Sequence, residues 1–113
     1  MTDTTRHIQN FRKMTDGWHY GEGVAFAPAV LALAARLSEA MARVGFDITD
    51  AFPGLSGEVP VALYRGPHYM EFTVQPDLSI GFLWERDEKV VEEVVGLDAE
   101  RAIERIVQAA IEV

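Results

Sequence analysis

Apolar positions recur along this chain with two different periods, and the change of period divides it into helical and extended parts. In residues 5–14, Ile8, Phe11 and Met14 stand at helical spacing, which predicts a short amphipathic helix. Thr15-Asp16-Gly17 breaks it, since glycine readily takes the left-handed conformation that ends helices. From Pro28 to Val44, a stripe that includes Val30, Leu31, Ala34, Leu37 and Met41 predicts a longer helix. Pro28 suits its first position, Gly45 stops it, and Glu39 with Arg43 forms an i,i+4 pair on the polar side.

The period then falls to two. Phe46 and Ile48, with Ala51–Phe52, suggest a short extended segment before the Pro53-Gly54 and Ser56-Gly57 turns. Three strands follow. Glu58–Arg65 sets Val59, Val61 and Leu63 against Pro60, Ala62 and Tyr64. His68–Gln75 sets His68, Met70, Phe72 and Val74 against Tyr69, Glu71 and Thr73; Ser79–Arg86 sets Ile80, Phe82 and Trp84 against Gly81, Leu83 and Glu85. A fourth strand, Lys89–Val95, has doubled valines and glutamates that leave its parity open. Pro60 lacks an N–H, so its strand has a free edge or begins late. Asp98 caps a final amphipathic helix through Ala102, Ile103, Ile106 and Val113. The prediction is an α+β fold in the order α-α-β-β-β-β-α. Short turns make the sheet an antiparallel meander of about four strands, with helices on one face.

A length of 113 residues fits one domain spanning 1–113. Cysteine is absent, which excludes disulfides and thiolate metal cages and fits a reducing compartment. No signal-like or membrane-spanning segment is evident, so a cytoplasmic protein without membrane contact is expected. The net charge of −8 is uneven. Residues 1–57 carry five Lys+Arg against six Asp+Glu, while residues 58–113 carry five against twelve. Without a basic cluster, direct nucleic-acid binding is disfavoured. The acidic half favours a partner with a basic surface, or simply solubility.

If helices cover the Val61/Phe72/Phe82 side, the other side presents Tyr64, Tyr69, Glu71, Leu83 and Glu85, with Glu92 and Glu93 adding to an acidic rim. Aromatic centre and polar rim together resemble a protein-binding surface. Strands favour aromatics for their own sake, so each residue alone is weaker evidence than the set. A second copy of the chain is another occupant for such a face. In a different class, Glu71, Glu85, Asp87, Glu88, Glu92 and Glu93 suggest an inhibitor that imitates nucleic acid, of the anti-CRISPR or anti-restriction type. Residues i and i+2 on a strand lie about 6.6–6.8 Å apart, close to the phosphate spacing of one strand.

Catalysis is the less favoured class. His7, His19 and His68 have no metal-ligand spacing, and no phosphate loop, nucleophile elbow or H-E-x-x-H occurs. A hydrolase built on His19, Glu22 and His68 is the weakest option, and no cofactor or metal is expected. His68, on an apolar strand side, reads as a half-buried, hydrogen-bonded imidazole. The segment DGWHYGEG at residues 16–23 reads as an aromatic plug: Trp18 and Tyr20 pack, and glycines permit the turns. DGWHYGEG before a helix, with AFPGLSGEV at residues 51–59 leading into a strand, resembles a group of small uncharacterised bacterial proteins. That resemblance implies an antiparallel sheet and a setting in mobile elements, toxin–antitoxin pairs or phage defence. It carries no activity and no catalytic residue.

Overall fold

The computed structural model describes residues 1–113 and shows three helices over a five-stranded antiparallel sheet. Helix α1 runs Asp3–Asn10 and continues as a 3-10 turn, Phe11–Lys13; α2 is Pro28–Arg43 and α3 is Ala99–Glu112. The strands are β1 Ile48–Ala51, β2 Val59–Arg65, β3 His68–Val74, β4 Ile80–Arg86 and β5 Lys89–Leu97. They lie side by side in chain order. The meander therefore has five strands rather than about four, because the segment at Ile48 pairs with β2.

Local chemistry explains the boundaries. Thr2 caps α1 by accepting from the Thr5 N–H at 3.0 Å, and Asp98 caps α3 by accepting from the Arg101 N–H at 2.8 Å. Pro60 sits where its missing N–H is harmless. Its carbonyl accepts from the Phe52 N–H, but proline has no N–H to return the bond, so the regular β1–β2 ladder stops at Ala51 and Val61. The second helix has Glu39 turned toward α1 rather than paired with Arg43. Its carboxylate accepts from the Thr5 hydroxyl at 2.7 Å, and Thr5 and Ser38 also share a buried hydroxyl contact at 3.0 Å. The Thr5 hydroxyl bond first, and then the Thr2 backbone N–H, hold the Glu39 carboxyl below its ordinary range.

Strand parity is as the alternation predicts. Val59, Val61, Leu63, Met70, Phe72, Val74, Ile80 and Phe82 are buried beneath the helices. Phe72 and Phe82 are direct cross-strand partners with ring centroids 4.8 Å apart. Arg105 of α3 lies over Phe82 and Trp84, at 4.8 and 5.5 Å, and its Nη2 bonds to Glu92 and Glu112. It ties the last helix to the β4–β5 part of the sheet, on the same face as the other helices. No helix is long and apolar enough to cross a membrane.

Candidate docking surface

The sheet face away from the helices is built in cross-strand rows. The first row runs Ile48, Tyr64, Tyr69, Glu85, Val90, and the second Asp50, Ala62, Glu71, Leu83, Glu93. Five sequence-proposed residues therefore stand on one surface by register: Tyr64, Tyr69, Glu71, Leu83 and Glu85. Glu93 joins them as the partner of Leu83. Glu92 does not. It is opposite Trp84, on the helical side, where it accepts from Arg105 at 3.0 Å. The reason lies in β5, whose doubled VVEEVV pattern leaves parity to be set by the irregular register near Glu85.

Sequence reasoning missed the apolar rim. Ile48, Val90 and Val95 are 64%, 61% and 84% exposed. Ile48 needed the fifth strand to be placed, and Val90 and Val95 needed the β5 irregularities. Gly96, at φ 76°, allows the second of these.

Two tyrosine rings form the centre, with centroids 5.1 Å apart and planes tilted by 57°. The Tyr69 hydroxyl donates to Glu71 Oε1 at 2.7 Å. Burial chiefly, then that bond to Glu71 and the charges of Glu71, Tyr64 and Glu85, push the Tyr69 phenol far above its ordinary range. Tyr64 is raised too, by burial first and then by Asp50 and Glu71. Asp50, Glu71, Glu85 and Glu93 make no ion pair; the salt bridges of the chain involve other carboxylates. Two concavities flank the rows. One of about 190 Å³ lies among Thr73, Gly81, Leu83, Glu93 and Val95. Another, of about 440 Å³, opens at the hairpin end beside Tyr64, Tyr69, Glu85, Asp87 and Glu88.

No strand carries two carboxylates at i and i+2 on this face, since β3 contributes only Glu71 and β4 only Glu85. The phosphate-like ladder along a strand is therefore missing here.

The remaining candidates stand off these two rows, although His68 also borders the hairpin-end concavity. His68 Nδ1 accepts the Trp84 indole N–H at 3.0 Å. His19 and Glu22 form a small backbone-bridged hairpin. That hairpin leads to Val24, which bonds to Leu55, whereas His68 starts β3 at the opposite end of the β2–β3 pair. No group of three His, Asp or Glu side chains is arranged to hold a metal ion. Trp18 packs on Phe26, with centroids 6.0 Å apart, and its N–H donates to the Val24 carbonyl at 3.0 Å. Gly23 is needed there: its φ is 89°, and a Cβ would lie 2.6 Å from the indole nitrogen. Tyr20 is not part of the plug. It is 97% exposed at the hairpin tip, with φ 52°. The two-residue turn Tyr20-Gly21 takes positive φ at both positions, which sends the tyrosine outward.

Compared with protein-family models, curated proteins and solved structures, the chain shows no match. The face must be interpreted by its own chemistry.

Proposed function

We propose that this chain is a small non-enzymatic protein-binding module that docks a partner with a basic surface on its open sheet face. The single observation that supports this most is the set of four carboxylates without cation partners, Asp50, Glu71, Glu85 and Glu93, around Tyr64, Tyr69 and Leu83. Aromatic and aliphatic side chains supply desolvation energy, and the carboxylates supply orientation and on-rate toward cations. A second copy is the poorer occupant, because two such faces would oppose carboxylate with carboxylate on chains of net charge −8. The cysteine-free composition suits a reducing compartment such as the cytoplasm, where we propose that the module acts.

The test is affinity capture with the wild-type chain, then measured binding of the purified partner to wild type and to a Leu83→Ala, Glu93→Gln double variant. The expected result is a loss of about tenfold or more in the variant, and weakening as salt is raised. A partner whose affinity ignores both the substitutions and the salt would place its docking site elsewhere. A solution mass showing a stable dimer, broken by the same double variant, would assign the face to self-association instead.

A further inference from the structure

The larger concavity on the open face has a narrower chemistry than the face as a whole. Its walls are Tyr64 and Tyr69 on one side and Glu85, Asp87 and Glu88 on the other, with Gly66-Pro67 and His68 at the end, the His68 Nδ1 being occupied by the Trp84 N–H. Glu85 is the direct cross-strand partner of Tyr69, so a carboxylate stands beside a ring at fixed register. The Tyr69 ring is held by its hydroxyl bond to Glu71, and the Tyr64 ring is tilted against it and partly open to solvent. Neither Glu85, Asp87 nor Glu88 has a cation partner. The chain's own arginine nearest in sequence does not fill the notch. Arg65 is spent on the other side, donating to the Gly45 carbonyl at 2.8 Å and covering the Phe46 ring at 4.2 Å. Arg86 and Lys89, in register with His68, alternate to the face opposite Glu85.

The occupant must be cationic, since the rim is anionic and aromatic faces attract cations. A bare divalent ion is the wrong kind: it asks for several oxygen ligands converging at short range, and no three acidic or histidine side chains are so grouped. An ammonium is strongly hydrated, so moving it onto a phenol ring costs more than moving a guanidinium, which is planar, weakly hydrated and able to fork onto a carboxylate. Resting on the docking face proposed above, we infer that the notch beside Tyr64, Tyr69 and Glu85 receives an arginine side chain of the protein partner. The guanidinium lies on the exposed Tyr64 ring and donates to Glu85, while Asp87 and Glu88 draw it in from the turn.

A capped peptide with one arginine between glycines tests this against the full-length chain by amide chemical-shift titration. The lysine peptide and the uncharged citrulline peptide serve as comparisons. Saturable shifts at residues 64–69 and 85–88 are expected with arginine, weaker ones with lysine and none with citrulline. Tyr64→Ala removes a partly exposed ring and should weaken the arginine response roughly two- to fivefold. Glu85→Gln provides a second, nearly isosteric variant with the same expected direction, and both are checked for an unchanged amide spectrum elsewhere. Equal binding of lysine or citrulline, or no saturable shift with arginine, overturns the assignment. A polylysine titration separates this result from the fate of the larger surface. Shifts confined to the Thr73, Leu83 and Glu93 region would leave the docking face standing without the arginine notch, and silence toward both probes would remove both.

Discussion

Tyr69 and Tyr20 are chemically the same residue in opposite circumstances. Tyr69 is half-buried and its hydroxyl donates to Glu71, so the neutral phenol is the favoured form in the folded chain. A folded pKa raised above the unfolded value, about 10 for tyrosine, stabilises the fold fully below that unfolded value. The contribution is lost as pH rises from there toward the folded value. An alkaline absorbance titration should therefore show Tyr69 still protonated where a free phenol has ionised, with Tyr64 also delayed. Tyr69→Phe should remove the late component; a titration in which every tyrosine ionises together at the free value would contradict the burial described here. Tyr20 makes the contrary case. Its exposed side chain is placed on a left-handed backbone that suits glycine. Tyr20→Gly relieves left-handed strain of about 1–2 kcal/mol against a glycine entropy cost of about 0.5–1 kcal/mol, so stability measured by denaturant unfolding should rise, whereas a loss of stability would mean that the ring packs after all. Alternation in the sequence already put Tyr69 on a strand face, whereas the outward direction of Tyr20 needed the turn geometry of its glycine-rich segment.

At the scale of elements, the seam between α3 and the sheet depends on one guanidinium. Arg105 is largely buried, stacked on Phe82 and Trp84, and shared by Glu92 and Glu112, but its Nη1 has no partner. Truncation removes the packing and leaves two carboxylates beside the gap, so Arg105→Ala should cost about 1–3 kcal/mol. Arg105→Met keeps most of the apolar stem and deletes the orphan donor, and it should fall within about 1 kcal/mol of wild type. Chemical denaturation of both variants distinguishes packing from ion pairing; equal, large losses would show that charge carries the seam. The same seam explains why Glu92 was legible as acidic and illegible as to face. A one-residue slip in β5 exchanges its two sides, and VVEEVV is nearly indifferent to that slip. Strands β2, β3 and β4 carry bulky apolar residues at strict alternation, so burial fixes their parity and a slip would expose Phe72 or Phe82. The first strand was harder to count, because Ile48–Ala51 is four residues long and buries only Ala51 fully.

For the molecule as a whole, the sheet has one side packed beneath the helices and one that the proposed function assigns to a partner. Phe72→Ala, at a fully buried position between Phe82 and the helices, should cost about 3–5 kcal/mol. Leu83→Ala on the other side should cost less than about 1 kcal/mol, yet should weaken partner binding. Thermal or denaturant unfolding of the two variants checks the division; a Leu83 cost equal to that of Phe72 would mean that the open face belongs to the core. By itself the sequence determined the helix and strand types, the parity of β2 to β4 and the surplus of negative charge, because periodicity and composition are local properties of the chain. Tertiary structure alone decided that Glu93 joins the tyrosines while Glu92 turns to Arg105, that Ile48 extends the row, and that Glu85 meets the Tyr69 ring. Those outcomes rest on pairing between distant strands, and a register is chosen by the sum of contacts across the sheet rather than by any one segment.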